Sequence, residues 1–219
     1  MKIENVVLTA KGINIPAIKI TDSDDSPNVI VMHGYGGSKE EQLGLSWRIA
    51  NLGFNTCTID MRGHGENTLP LSHKIQNDLD NLINEIRRPS VPLITIGHSL
   101  GGRLALLSKA DYRIGLSPAL SQSFSEQTQT ITKNLRQHRV IQNNPNINFE
   151  ILEKLPLVDL RNNDLIIYGV RDVPEIIQEC EKLSTGNNNV VKVENAMHGD
   201  TFLLEKTFSI IKNFLSKIK

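Results

Sequence analysis

The chain of 219 residues carries 24 basic and 24 acidic residues, so its formal net charge at pH 7 is zero. This balance excludes the basic surface that nucleic acids or anionic membranes require, and it favours a neutral small-molecule partner. The length suits a single domain over residues 1–219 that buries a substantial core without disulfides. The composition favours no particular oligomeric state.

The two cysteines and the N-terminal segment predict where the protein resides. Cys57 falls in a strand-like run and Cys180 in a helix-like one, which is typical of two buried thiols rather than a disulfide framework. Residues 1–10 lack a basic region followed by an apolar core, and no apolar run reaches the length that spans a bilayer. We therefore predict a cytoplasmic protein.

Short apolar runs alternate with helical patterns along most of the chain. Residues 3–10 and 13–20 form a hairpin signal across Lys11-Gly12, and a capping-box pattern at Ser38 and Glu41 predicts the start of a helix. The alternation predicts an α/β fold with a mostly parallel sheet and helices on both faces. Further strands are expected near 28–32, 54–59, 93–96, 112–118, 164–169 and 189–193, and further helices near 75–86, 103–109 and 174–185 and at the C-terminus.

The alternation breaks down over residues 119–160, which are rich in Gln, Asn and Ser. Helical fragments are expected near 126–140 and 149–155. We interpret this stretch as a short, polar, cap-like insertion within the domain.

A Gly-x-Ser-x-Gly pattern, Gly97 to Gly101, follows an apolar strand and precedes an apolar helix. That context is typical of a nucleophile elbow, in which glycines leave room for the helix to pack across a strained serine. Ser99 is the predicted nucleophile.

A serine nucleophile needs a histidine base and a carboxylate that orients the base. Of the two histidines downstream of Ser99, His198 follows the last strand, whereas His138 lies in the polar insertion. Asp172 follows the strand that ends near Gly169 and is the favoured acid. Three other carboxylates are less suitable: Asp164 begins that strand, Asp200 is placed to cap the terminal helix, and Glu194 is a weaker contender.

Acyl transfer also needs donors for the oxygen that becomes negative. The backbone N–H of Leu100 begins the elbow helix, and the backbone N–H of Tyr35 lies in the loop after the strand at 28–32, so we assign both. The Tyr35 ring either lines the acyl pocket or packs at the edge of the loop. His98 and Met197, the sequence neighbours of Ser99 and His198, complete the predicted substrate contacts.

Other polar residues after the strands receive structural roles. His33, His64 and His98 occur singly, without the paired spacing of metal ligands, so we predict no metal and no cofactor and expect each histidine to brace a loop. Asp60 and Arg62 are expected to form an ion pair with each other.

Taken together, these motifs resemble the α/β-hydrolase superfamily over nearly the whole chain, most closely the branch of monoacylglycerol lipases, serine aminopeptidases and bacterial carboxyl and cinnamoyl esterases. The resemblance implies an eight-stranded sheet with an antiparallel second strand and the catalytic and oxyanion roles assigned above. Asn67 stands where the family usually has a small residue. The motifs that carry the resemblance are His33-Gly34-x-Gly36-Gly37, Asp60-Met61-Arg62-Gly63-His64-Gly65, Gly97-His98-Ser99-Leu100-Gly101-Gly102, Gly169-x-x-Asp172 and His198.

The sequence thus predicts a serine carboxylesterase that cleaves small soluble esters through an acyl-enzyme intermediate. The polar insertion differs from the apolar lid of a lipase and disfavours long-chain glycerides. Thioester or amide cleavage by the same triad is the chemical alternative. A ligand-binding protein on a catalytically silent hydrolase scaffold is an alternative of a different class.

Overall fold

A computed structural model describes residues 1–218 and contains eight strands and seven α-helices within that range. The strands are β1 Lys2–Ala10, β2 Ile13–Thr21, β3 Asn28–Met32, β4 Asn55–Ile59, β5 Leu93–His98, β6 Tyr112–Leu116, β7 Asp164–Arg171 and β8 Val190–Met197. The helices are α1 Leu43–Ala50, α2 Ile75–Ile86, α3 Leu100–Leu107, α4 Glu126–Arg136, α5 Ile147–Lys154, α6 Pro174–Ser184 and α7 Glu205–Leu215.

All eight strands form one sheet in the order β1-β2-β4-β3-β5-β6-β7-β8. Strand β2 runs antiparallel to both of its neighbours, β1 and β4, and every other pair is parallel. The predicted eight-stranded, mostly parallel sheet with an antiparallel second strand is therefore confirmed.

Helices cover both faces of the sheet because side chains alternate along each buried strand. On β3, Val29 and Val31 pack in the apolar cluster that holds residues of α1 and α7. Ile30 and Met32 pack in the cluster that holds residues of α2, α3 and α5. The two clusters bury the central strands completely and leave only the strand ends open to ligands.

The carboxyl ends of the parallel strands share one edge of the sheet. Ser99 follows β5, Asp172 follows β7, and His198 follows β8. The loop after β3 carries Tyr35 to the same edge. Three residues far apart in the chain are thereby brought to one place.

Residues 119–160, called the cap below, leave the sheet between β6 and β7 and carry α4 and α5. Helix α4 buries none of its residues, whereas α5 buries Ile147, Ile151 and Leu152 in the core. The cap is thus polar on its outer side but apolar where it meets the rest of the molecule.

Both ends of the cap are held by Arg103, a fully buried residue of the elbow helix α3. Its Nη1 donates to the carbonyl oxygens of Ala119, Leu120 and Ser121 at 2.6–3.1 Å, and its Nη2 donates to those of Leu155 and Pro156 at 2.9 and 3.1 Å. Burial lowers the pKa of the guanidinium to about 10, so it stays charged at neutral pH. One side chain fixes both ends of the cap to the helix that begins after Ser99.

Candidate active site

Ser99 lies in a strained turn at φ 54° and ψ −115°, a region that non-glycine residues rarely adopt. The flanking glycines permit the turn. A Cβ added to Gly97 would lie 2.1 Å from the Gly101 carbonyl oxygen, and one added to Gly101 would lie 2.3 Å from the His33 carbonyl oxygen. Helix α3 therefore packs against the ends of β5 and β3 more closely than a side chain at either glycine would allow. As a result, Ser99 projects from the edge of the sheet.

Ser99, His198 and Asp172 form one hydrogen-bonded chain. The Oγ atom of Ser99 lies 3.0 Å from Nε2 of His198, and Nδ1 of His198 lies 2.7 Å from Oδ1 of Asp172. Because the carboxylate accepts from Nδ1–H, Nε2 is the nitrogen left free to accept the serine proton. The geometry suits a serine whose proton passes to an oriented imidazole.

The carboxyl side chain of Asp172 is fully buried but well supplied with donors. Burial alone would raise its pKa, but the hydrogen bond and charge of His198 outweigh this, aided by Ser117 and the backbone N–H of Val173, so the pKa is lowered. The Val173 N–H donates to Oδ1 at 2.7 Å. Asp172 is accordingly an anion that holds the imidazole in one orientation.

The loop that carries His198 is fixed by hydrogen bonds from His98 and Thr201 to its backbone. Nε2–H of His98 donates to the His198 carbonyl oxygen at 2.7 Å, and burial lowers the pKa of His98 to about 3, which keeps its ring neutral. The Thr201 hydroxyl donates to the Met197 carbonyl oxygen at 2.7 Å and accepts from Ser117 at 3.0 Å. These contacts hold His198 beside Ser99.

Two backbone N–H groups lie beside Ser99 without a backbone partner in residues 1–218. That of Leu100 begins α3 and has no intrahelical acceptor, and that of Tyr35 makes no backbone hydrogen bond. The loop carrying Tyr35 passes close to the serine, because a Cβ added to Gly34 would lie 3.1 Å from the Cβ of Ser99. This arrangement suits an oxyanion hole.

Below this loop lie two buried neutral histidines. His33 donates from Nδ1 to the Gly34 carbonyl oxygen at 2.7 Å, and its Nε2 accepts from the Met61 N–H at 3.2 Å. His64 donates to the Arg62 carbonyl oxygen at 2.9 Å and lies 4.9 Å from the His33 ring. Burial lowers the pKa values to about 4 and about 3, respectively. The predicted bracing role of His33, His64 and His98 is confirmed.

A cavity of about 570 Å³ opens onto Ser99 and His198 beneath the cap. Its walls are mainly apolar, and the cap supplies much of that surface through α4 and α5. Leu135 of α4 is 63 % exposed and Ile131 is 49 % exposed, so apolar side chains border the opening. The apolar lining includes Tyr35, Leu100, Ala119, Phe124, Ile131, Leu135, Phe149, Leu152, Val173, Ile176, Phe202 and Leu203.

Five of the seven predicted site residues line this cavity directly, namely Tyr35, His98, Ser99, Leu100 and His198, whereas Asp172 and Met197 do not. The structure does not bring Met197 into the cavity. Its side chain is 49 % exposed, whereas that of the preceding residue Ala196 is fully buried. The end of β8 is irregular, with Asn195 at φ 58° and a register shift in its pairing with β7, and it leaves Met197 facing outward.

The expected ion pair between Asp60 and Arg62 is wrong. Arg62 instead binds Asp78 of α2, with Nε 2.6 Å from Oδ2. Asp60, which is fully buried, binds Nζ and the backbone N–H of Lys39, each at 2.8 Å. The loop after β4 is therefore attached to α2 through Arg62 and to Lys39 through Asp60.

The cap residues that line the cavity were not recognised from the sequence. Thr128, Ile131 and Leu135 lie three or four positions apart and share one face of α4, a spacing that does mark a helical face.

Within residues 1–218, no group of three or more His, Cys, Asp or Glu side chains could hold a metal ion.

The sheet order, elbow and strand-end site define an α/β-hydrolase. A family model for serine aminopeptidases, S33, matches residues 24–152, more than half of the chain. The chain belongs to this family.

Solved structures with the same fold include several esterases. Est1E from Butyrivibrio proteoclasticus, determined with bound ferulic acid, is 17% identical with a TM-score of 0.75 over 97% of this chain and 98% of that one. An esterase from Pyrobaculum calidifontis is 21% identical with a TM-score of 0.71, over 100% and 85% of the two chains. A thioesterase domain from the curacin biosynthetic pathway is 17% identical with a TM-score of 0.70, over 99% and 100%.

Proposed function

We propose that this hydrolase is a serine carboxylesterase that cleaves small esters through an acyl-enzyme intermediate. The observation that carries the proposal is the hydrogen-bonded chain from Ser99 through His198 to the buried Asp172. That chain supplies the oriented base that a serine needs to act as a nucleophile at neutral pH.

In the proposed mechanism, Oγ of Ser99 attacks the ester carbonyl carbon while Nε2 of His198 takes the serine proton. Negative charge develops on the carbonyl oxygen, where the backbone N–H groups of Tyr35 and Leu100 donate to it. The imidazolium, stabilised by Asp172, then gives its proton to the departing alcohol. A water molecule activated by His198 releases the acid and restores Ser99.

The cavity supports an acyl group that is neutral and apolar. Glu41 is the acidic residue of the cavity lining within residues 1–218, and it binds Arg139 at 3.1 Å and Arg136 at 3.7 Å. A free α-amino group would therefore compete with two arginines for that carboxylate. This favours esters over the amino-terminal peptides that an aminopeptidase must hold.

A fluorophosphonate probe tests the nucleophile. We expect the native protein to be labelled and Ser99→Ala to remain unlabelled, with hydrolysis of p-nitrophenyl butyrate reduced about 10⁴- to 10⁶-fold. Equal labelling of both proteins would overturn the proposal. Absence of a burst with every activated ester, together with a ligand-induced rise in Tm, would instead favour a ligand-binding protein.

Matched ester, thioester and anilide substrates with the same acyl group test the bond that is cleaved. We expect the highest kcat/KM for the ester. The likeness to a thioesterase domain makes the thioester the informative competitor, and a higher kcat/KM for that substrate would reassign the reaction.

A series of p-nitrophenyl esters from acetate to dodecanoate tests the size of the acyl group. The apolar walls predict a rise in kcat/KM from acetate to medium chains. A continued rise beyond about ten carbons would contradict the proposed preference for small esters.

We also propose that the protein acts in the cytoplasm. Both cysteines are buried and unpaired, as suits a reducing compartment. No helix within residues 1–218 has the length and apolar character to cross a bilayer.

A further inference from the structure

The loop of residues 33–37, called the oxyanion loop below, is enclosed between two layers. On its inner side, the Tyr35 ring meets the edge of the His64 ring at a centroid distance of 5.9 Å. On its outer side lies the cap. The direction of the Tyr35 N–H therefore depends on contacts from both layers.

The last turn of α4 rests directly on the oxyanion loop. Gly36 has φ +70°, and a Cβ added there would lie 2.6 Å from the Cβ of Arg136 and 2.9 Å from its carbonyl oxygen. The same end of the cap is linked to Glu41 by Arg136 and Arg139. The cap thus packs against the loop through backbone as well as side chains.

One hydrogen bond joins the cap to the residue that carries the proposed oxyanion donor. The Tyr35 hydroxyl donates to Oε1 of Gln142 at 3.0 Å, and Tyr35 is only 7 % exposed. Burial raises the pKa of Tyr35 more than the bond to Gln142 lowers it, so the phenol keeps its proton at neutral pH. The donor is therefore always available to Gln142.

Gln142 is itself held in place. The preceding residue, Ile141, donates to the Gly63 carbonyl oxygen at 2.9 Å and accepts from the Leu71 N–H at 2.8 Å. Within residues 1–218, Nε2 of Gln142 is buried without a hydrogen-bond partner, a burial that costs free energy. The backbone beside the cap contact is thus held through Ile141, which places the oxygen of Gln142 against Tyr35.

We propose that the cap completes the oxyanion hole, and that Gln142 is a positioning residue that acts through the Tyr35 side chain on the backbone N–H of Tyr35. This inference rests on the proposed function, since it takes that N–H as an oxyanion donor. It gives the cap a part in the chemical step, in addition to forming the wall of the cavity.

The test uses Tyr35→Phe, Gln142→Leu and the double variant with p-nitrophenyl acetate and hexanoate. A displaced donor costs less than a lost one, so we expect kcat to fall about tenfold in each single variant, by the same factor for both esters, with KM within about twofold. The double variant should lose no more than either single variant, because both remove one contact.

A methyl trifluoromethyl ketone supplies a readout that a purely structural role would not affect. Its adduct with Ser99 places an oxyanion in the hole, so its Ki should rise about as much as kcat falls. Asn134→Ala, on the exposed outer side of α4, is the matched control and should match the native protein. Fluorophosphonate titration normalises every rate to folded, reactive sites.

Three results would overturn the inference: native kcat in both single variants, losses confined to KM that grow with acyl length, or losses that multiply in the double variant. These results leave the proposed function intact when Ser99→Ala is still inactive and unlabelled. Equal probe labelling of native protein and Ser99→Ala would overturn both.

Discussion

At the carboxyl edge of the sheet, the proposed catalytic side chains each lie directly after a strand, whereas the cap leaves the sheet over the whole of residues 119–160. The first region is positioned by backbone geometry that the order of strands determines. The second is positioned by side chains that reach across the chain, such as those of Arg103, Glu175 and Gln142. The reacting groups thus take their places from the order of the strands, with side-chain hydrogen bonds adding support around His198, whereas the substrate wall depends on side-chain contacts to distant elements.

The first region, called the strand-end region below, comprises the loops after β3, β4, β5, β7 and β8. The largest expected effect is in this region. Asp172→Asn should lower kcat about 10⁴-fold, because the amide no longer holds His198 in the tautomer that accepts the serine proton. Steady-state kinetics with p-nitrophenyl butyrate measure this loss.

Asp200→Asn is the matched control, because its retained Oδ1 can still accept from the Met197 N–H as Asp200 does at 2.7 Å. We expect its kcat within a few-fold of the native value. If Asp200→Asn lost more activity than Asp172→Asn, the acid would be wrongly assigned.

The next effect concerns the cap and is smaller, because it changes stability rather than the chemical step. Arg103→Met removes the donors for five carbonyl oxygens, four of them in buried contacts, so we expect the free energy of unfolding to fall by at least about 3 kcal/mol. Urea denaturation measures this change.

Arg87→Met removes a half-exposed pair with Asp111 and should cost about 1 kcal/mol or less. Equal changes in the two variants would show that Arg103 does not secure the cap.

Acid should lower the free energy of unfolding, because three buried neutral histidines lie in the strand-end region. His33, His64 and His98 have folded-state pKa values of about 4, 3 and 3, below the unfolded value of 6.5. The unfolded chain therefore binds more protons as pH falls below 6.5, and each histidine should cost about 2 kcal/mol of stability at pH 5.

Urea denaturation at pH 7.5 and pH 5 measures this dependence, and His64→Phe should reduce it. The same pH dependence in native protein and His64→Phe would contradict the assignment of His64 as a source of acid sensitivity.

The strand-end region could be read from sequence because its signals are local. A strand, a Gly-x-Ser-x-Gly turn and a helix are contiguous in the chain, and the later strands place Asp172 and His198 by order alone. The predicted contact at Met197 is not among the residues that line the cavity, because β8 is irregular near its end, where Asn195 has φ 58° and the pairing with β7 shifts register.

Elsewhere, local patterns were overridden by distant partners. Ser38 and Glu41 resemble a capping box, but the chain forms a 3₁₀ turn at Lys39–Gln42, and Ser38 makes no side-chain cap bond. Glu41 instead binds Arg136 and Arg139 of the cap.

The composition of the cap is polar because most of its side chains face water, and a composition cannot show which few face inward. Ile131 and Leu135 share one face of α4, and that face forms part of the apolar wall of the cavity. The position of α4 over the cavity depends on long-range contacts. Ser125 and Thr128, for example, bind Glu175 of α6 at 2.8 and 3.1 Å.

Arg103 binds the cap through carbonyl oxygens alone, and every amino acid supplies that group. The attachment therefore places no requirement on the identity of the side chains between its two ends. A segment of different length or composition could be joined at residues 121 and 155 and still meet the same five-bond anchor. The elbow helix in this way holds the cap without dictating which side chains of the cap line the cavity.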